Sequence, residues 1–208
     1  GFCGVGRYAI VNKIKLEKEK EDYFYGTSYS GKIYFSSCNL RCFFCKDYKI
    51  SQTIDGDTVT AEELAEEILK LQESGAQNIH FVSPTHVGPQ IMEALEIAYS
   101  KGLNLPLICN SNGFDVLKML RLWEGIMDIF LVDMKYGDKK LSKKYSFAFN
   151  YPKVSKRALI EMLRQAGNLE IDENGLAAKG VVVRHLVLPE GISHSEEVFE
   201  MIAAIDPN

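Results

Sequence analysis

Short β-branched or aromatic runs alternate along the chain with longer stretches whose apolar residues recur every three or four positions, the rhythm of strands followed by amphipathic helices. Ile33-Tyr34-Phe35 is the first such run and predicts a core strand. Residues 60–74 predict a helix: Leu64, Ile68 and Leu71 share one face, Thr60 caps it, Glu63 closes a capping box, and Gly75 stops it. The pattern then predicts a strand at 78–82, a helix at 89–101, a strand at 106–109, a helix at 114–122 and a strand at 127–132. A long charged loop follows, then a helix at 153–166, a hairpin turning at Asn174-Gly175, a strand at 181–188 and a helix at 195–205. The lysine and glutamate run at 13–22 is expected to be a solvated surface.

Strands that alternate with helices pair in parallel through right-handed crossovers, so the expected fold is α/β with about five to six parallel strands. A barrel and a doubly wound sheet share this pattern, and both bind ligands beyond the carboxyl ends of their strands. The segments to inspect are therefore those after Phe35, Val82, Cys109, Val132 and Leu188. The 208 residues fit one domain, with 1–30 as an N-terminal extension and 31–208 as the core. The sequence stops just after a predicted helix, where one more strand is expected, so the domain reads as trimmed at its C-terminal end.

Apolar residues make up 46% and charged residues 25%, an ordinary globular composition. A net charge of -4 offers no broad basic field for nucleic acid or anionic lipid, and no apolar run is long enough to span a bilayer. The expected location is cytoplasmic. Of five cysteines, three fall in Cys38-Asn39-Leu40-Arg41-Cys42-Phe43-Phe44-Cys45, a spacing that suits a metal better than a disulfide framework. Three cysteine ligands on a four-iron, four-sulfur cluster leave one iron open for a substrate, whereas an electron-transfer cluster takes four.

This Cys-x3-Cys-x2-Cys motif, with an aromatic residue before its last cysteine, resembles that of the radical S-adenosylmethionine superfamily. Asn112-Gly113-Phe114, Asp133-Met134-Lys135 and Val183-Arg184-His185-Leu186-Val187-Leu188-Pro189 extend the resemblance toward the activating enzymes of pyruvate formate-lyase and their uncharacterised homologues. The resemblance implies a partial (β/α) barrel of radical S-adenosylmethionine type and a cluster on Cys38, Cys42 and Cys45. It also implies one-electron cleavage of S-adenosylmethionine to a 5'-deoxyadenosyl radical that abstracts hydrogen. By the same resemblance Phe44 lies against the adenine, Asn110 and Asn112 stand near the ribose, Lys135 beside Asp133 pairs with the methionyl carboxylate, and Arg184 reaches the methionyl end. Ser83-Pro84-Thr85-His86 replaces the Gly-Gly-Glu-Pro stretch that holds the amino group in many relatives, leaving Ser83, Thr85 and His86 as contacts there. The implied partners are an external reductant of flavodoxin or ferredoxin type and a glycyl radical enzyme.

Each signal has a plainer reading. The cysteines could hold structural zinc, although zinc sites generally use four ligands and no second pair is present. Cys109, His80 and His185, all within predicted strands, read as core residues. Cys3 cannot make a metal site alone, and His194 is a looser candidate for the same cofactor as Arg184. Three functions follow: an activase of a glycyl radical enzyme, a radical enzyme acting on a small molecule or another protein site, and a non-catalytic iron-sulfur or zinc protein.

Overall fold

The computed structural model describes residues 3–18, 22–24, 26 and 28–207. Gly1, Phe2 and residues 19–21 of the charged run lie outside the described residues. In chain order the elements begin with β1 (Ala9–Glu17), β2 (Tyr29–Phe35), α1 (Tyr48–Gln52), β3 (Asp57–Val59), α2 (Ala61–Glu73) and β4 (Ala76–Val82). They continue with α3 (Gly88–Ser100), β5 (Leu107–Ser111), α4 (Leu117–Leu122), β6 (Ile129–Met134), α5 (Lys139–Ser146), α6 (Tyr151–Ala166), β7 (Glu170–Ile171), β8 (Ala177–His185) and α7 (Ser195–Ala203).

The strands form one sheet in the order β3-β1-β2-β4-β5-β6-β8-β7, in which β2, β4, β5, β6 and β8 are parallel. Within that parallel run the spatial order follows chain order without reversal. A doubly wound sheet needs a reversal, so the ambiguity left by the sequence is resolved toward a barrel-like winding that the described strands leave open. Right-handed crossovers in an unreversed sheet put every helix on the same face. The main core accordingly joins Leu64 and Ile68 of α2, Ile91 and Leu95 of α3, Leu120 of α4 and Leu159 of α6 to Ile33, Phe35, Ile79, Phe81, Phe130 and Val132 of the strands. The opposite, concave face carries Ile108, Ile129 and Leu131, closed near the amino ends of the strands by Phe24.

α2 starts as its sequence dictates: Thr60 Oγ1 accepts from Glu63 N at 3.2 Å, and Thr60 N donates to Glu63 Oε2 at 2.8 Å. The hairpin at Asn174-Gly175 joins β7 to β8, with Asp172 Oδ1 accepting from Asn174 N and Leu176 N, both at 2.8 Å. Helix α4 begins three residues later than predicted, because Asn112-Gly113-Phe114 forms a loop and Asp115 is buried beneath it.

Two expectations are corrected. Residues 13–17 are not a solvated surface run, because they complete β1, which lies antiparallel between β2 and β3. A register shift between Val11 and Lys13 changes which residues face the core, from Ala9 and Val11 before it to Ile14 and Leu16 after it. Lys15 and Glu17 therefore point to the concave face, where Glu17 accepts from Lys15 at 2.6 Å and from the Tyr34 hydroxyl at 2.7 Å. The second correction concerns the long charged loop, which contains α5, capped by Asp138 Oδ1 accepting from Lys140 N at 2.7 Å and Leu141 N at 2.8 Å.

Candidate metal centre and cofactor site

The cysteine loop leaves the carboxyl end of β2 through Ser37, whose positive φ of 70° turns the chain sharply. Ser37 N donates to Ile50 O at 2.7 Å, and Ser37 Oγ donates to Cys3 O at 2.6 Å. The far side of the loop is tied to α5: Arg41 N donates to Ser146 O at 3.1 Å and Phe43 N to Tyr145 O at 3.0 Å. Each cysteine sulfur receives a hydrogen bond. Cys38 Sγ accepts from Leu40 N and from Asn112 Nδ2, both at 3.4 Å, Cys42 Sγ from Ser146 Oγ at 3.0 Å, and Cys45 Sγ from Ser51 Oγ at 3.2 Å. Among the described residues no three His, Cys, Asp or Glu side chains stand together as a site for a single metal ion.

Burial pushes the Cys38 thiol up to about 11, against the pull of Leu40 N, Asn112 and the charge of Lys135. Burial also raises the Cys42 thiol, opposed by Ser146 and again by Lys135. Thiolates at these positions need compensating positive charge and donors, which Lys135 and the hydrogen bonds supply. Three thiols on one loop with that surround form a donor set that fits an iron-sulfur cluster.

Asn112 follows β5 and is fixed on both sides, its Nδ2 donating to Asn39 Oδ1 at 2.6 Å while its Oδ1 accepts from Phe114 N at 2.9 Å. Asn39 Nδ2 in turn donates to Phe114 O at 2.7 Å, which locks the cysteine loop to the end of β5. At the end of β6 the Asp133 carboxylate pairs with Lys135 Nζ and accepts from Arg184 Nε at 2.7 Å, and Arg184 Nη2 reaches Asn110 Oδ1 at 3.4 Å. Burial pushes the Asp133 carboxyl up, and Lys135 and Arg184 more than offset it, leaving it below its ordinary range. Phe44 is partly buried, edge-on to Tyr136 with ring centroids 6.2 Å apart. The structure thus gathers Cys38, Cys42, Cys45, Phe44, Asn110, Asn112, Asp133, Lys135 and Arg184 around the carboxyl ends of β2, β5, β6 and β8.

The segment after β4 is differently engaged. Ser83 has a left-handed backbone, and Thr85 Oγ1 donates to Asp115 Oδ1 at 2.6 Å. His86 places Nδ1 3.1 Å from Ser83 O and Nε2 3.0 Å from Ser36 O, and burial pushes its pKa down. Thr85 and His86 therefore brace the loops from within. His80 is buried against Phe24 and Cys109 is fully buried, as core readings predict, whereas His185 is only half-buried and bonds Ser195 Oγ at 2.9 Å. His194 precedes α7 and pairs with Glu197 at 2.8 Å.

Sequence reasoning missed Tyr151 and Ser146. The buried Tyr151 hydroxyl shares its one proton between Asn112 O (2.8 Å) and Asp133 O (2.7 Å) and accepts from Lys135 N at 3.1 Å, so one side chain fastens the ends of β5 and β6 together. Gly113 makes room for it: with φ of 80°, a Cβ there would collide with Asp133 O and come within 2.6 Å of Tyr151 Oη. Ser146 bridges Cys42 and the Tyr136 hydroxyl, the latter at 2.6 Å. A buried hydroxyl beyond the motif gives no sequence signal of this role.

A family model described as the Radical SAM superfamily matches residues 33–202. An uncharacterized protein of Methanocaldococcus jannaschii, MJ0674, is 28% identical over 184 residues, covering 84% of this chain and 49% of its own. The chain thus spans about half the length of that curated relative. Among solved structures, methylornithine synthase (PylB) is similar with a TM-score of 0.57 at 18% identity, over 84% of this chain and 50% of the other. TYW1 with a lysine-pyruvate adduct bound is similar with a TM-score of 0.56 at 12% identity, over 91% of this chain and 66% of the other. These structural likenesses concern the fold.

Proposed function

The chain belongs to the radical S-adenosylmethionine superfamily, and from that premise we propose that it cleaves S-adenosylmethionine reductively at a four-iron, four-sulfur cluster held by Cys38, Cys42 and Cys45. When bound, such a cluster supplies the electron that splits the sulfonium into methionine and a 5'-deoxyadenosyl radical, chemistry that belongs to the cofactor. The protein's work is to bind, orient and exclude. On this reading Lys135, steadied by Asp133, neutralises the methionyl carboxylate, and Arg184 adds a second cation at that end. Asn110 and Asn112 bond the ribose hydroxyls, Phe44 covers the adenine, and Ser83 offers its oxygen to the amino group while Thr85 and His86 hold the turn in shape.

The observation that carries the reading is the meeting of the cysteine loop with the Asp133-Lys135-Arg184 network, two features far apart in sequence and joined through Asn112 and Tyr151. An electron-transfer or zinc site has no use for that second half. Anaerobic reconstitution with iron and sulfide, then dithionite and S-adenosylmethionine, should yield 5'-deoxyadenosine. An intact cluster that forms none would overturn the proposal.

The finer reading, carried by the motif resemblance, is that the radical is passed to a glycine of a partner enzyme, with a flavodoxin or ferredoxin as the electron source. Incubation with pyruvate formate-lyase should then leave a stable glycyl radical signal. Deoxyadenosine formation without that signal would reassign the radical to another substrate.

A further inference from the structure

Lysine occupies four of the eight positions of α5, namely Lys139, Lys140, Lys143 and Lys144; all four are exposed, and α5 contains no acidic residue. Its carboxyl end leads into exposed aromatics, Phe147 at 52% and Phe149 at 63% exposure. Phe43 of the cysteine loop, 65% exposed, meets Phe147 edge to face with ring centroids 5.8 Å apart. Lys143 Nζ stands 5.0 Å from the centre of the Phe149 ring, and Lys144 Nζ 4.9 Å from that of Tyr145. The Phe43 and Phe147 pair left in water, with Phe149 and its ammonium neighbour two residues on, has the anatomy of a recognition surface, apolar rings beside a charged helix.

This patch is mechanically part of the cysteine loop. Phe43 follows Cys42 directly, and Ser146, the residue before Phe147, donates to Cys42 Sγ at 3.0 Å. Whatever seats on Phe43 and Phe147 therefore lies within one residue of Cys42 or of the serine bonded to it. The whole chain is acidic, at -4, so a local lysine face would single out this spot for an acidic protein that the rest of the surface repels.

We infer that α5 with Phe43, Phe147 and Phe149 is the docking surface for an acidic one-electron carrier protein, which delivers its electron on the Cys42 side of the cluster. The inference rests on the cluster chemistry proposed above. In the step itself one electron leaves the carrier, which is oxidised, and enters the cluster, which is reduced; no bond or proton changes hands at the patch. The lysines steer the encounter and the rings supply the apolar contact.

The test uses reconstituted protein with two alterations in the patch, the double substitution Lys143→Glu with Lys144→Glu, and Phe149→Ser. Deoxyadenosine formation is measured with a reduced acidic flavodoxin across a salt series and, separately, with dithionite. The flavodoxin-driven rate of the double variant should fall about tenfold or more at low salt and lose its salt dependence, and Phe149→Ser should also slow it. Dithionite-driven rates should match the unaltered protein. A flavodoxin rate unchanged in both variants overturns the docking surface, and so does an equal loss with dithionite, which would place the residues in the fold or the cluster site. Absence of product from the unaltered protein with dithionite would instead sink the cluster reading beneath it. A variant that keeps its flavodoxin rate but no longer binds bulk transfer RNA would hand the patch to nucleic acid and overturn the carrier.

Discussion

Asp133 holds two cations at the carboxyl end of β6 with side chains that are largely withdrawn from water, Arg184 less so than Lys135. Asp133→Asn leaves Lys135 and Arg184 facing each other without their shared anion, a loss of about 3 kcal/mol, toward the low end for a buried network because water reaches Arg184. Since the folded-state pKa lies below its unfolded value, this contribution is fully present above the unfolded value and disappears as pH falls through the folded one. Urea unfolding of the native and Asp133→Asn proteins should therefore differ by a constant amount above about pH 5, and the gap should close under acid. Tyr151→Phe tests the neighbouring hydroxyl. It strips partners from two carbonyls and one amide in a sealed place, so a cost of about 1–3 kcal/mol is expected, with weaker S-adenosylmethionine binding by calorimetry because Asn112 and Lys135 lose their shared anchor. These residues differ in how they announce themselves. Cys38, Cys42 and Cys45 were legible because three thiols at such close fixed spacing are rare, and Asp133 and Lys135 were named only through the motif resemblance. Tyr151 and Ser146 were not legible, because a tyrosine or serine that serves two distant loops looks in one dimension like any other.

The elements were legible where one period ran unbroken. α2 has its cap, box and stripe within 13 residues, and β4, β5 and β6 are short apolar runs between turns. β1 escaped because its bulge moves the core-facing set from odd to even positions halfway along, and the alternation left after it, Lys13-Ile14-Lys15-Leu16-Glu17, is masked by the lysine and glutamate run in which it sits. α5 escaped because four lysines in eight residues look like loop, and its stability comes from the Asp138 cap and from docking on the cysteine loop. The bulge has a partner in Gly56, whose φ of 135° brings its backbone onto Val11 and Asn12; a Cβ there would collide with Val11 O and lie 2.8 Å from Asn12 Cα. Gly56→Ala combines that collision with a backbone angle alanine rarely adopts and should destabilise the β1-β3 edge by about 2 kcal/mol or more. Hydrogen exchange should locate the change in residues 9–17 and 57–59, leaving the amides of β5 and β6 as protected as before.

At the scale of the whole molecule, strand order is a global property that local periodicity does not encode, which is why a barrel and a doubly wound sheet were indistinguishable until β2, β4, β5, β6 and β8 were seen in unreversed sequence. The shared direction of those strands has a functional consequence. It brings the loops after all five parallel strands to one end, so a ligand bridging the cysteine loop and the Asp133 network would tie together β2 at one side and β6 and β8 at the other. Such a ligand stabilises the folded state by mass action, about 2.7 kcal/mol at a hundredfold excess over its dissociation constant. For a chain of this size that corresponds to a rise in melting temperature of about 5–10 °C. S-adenosylmethionine should produce this rise in cluster-loaded protein and little of it in metal-free protein, because the Lys135 half of the site alone grips only the carboxylate end. A variant with Cys38, Cys42 and Cys45 all changed to Ala should show no rise after the same reconstitution. Equal shifts in loaded and metal-free protein would mean that the cysteine loop takes no part in holding the sulfonium, and would separate the two halves of the site that the fold brings together.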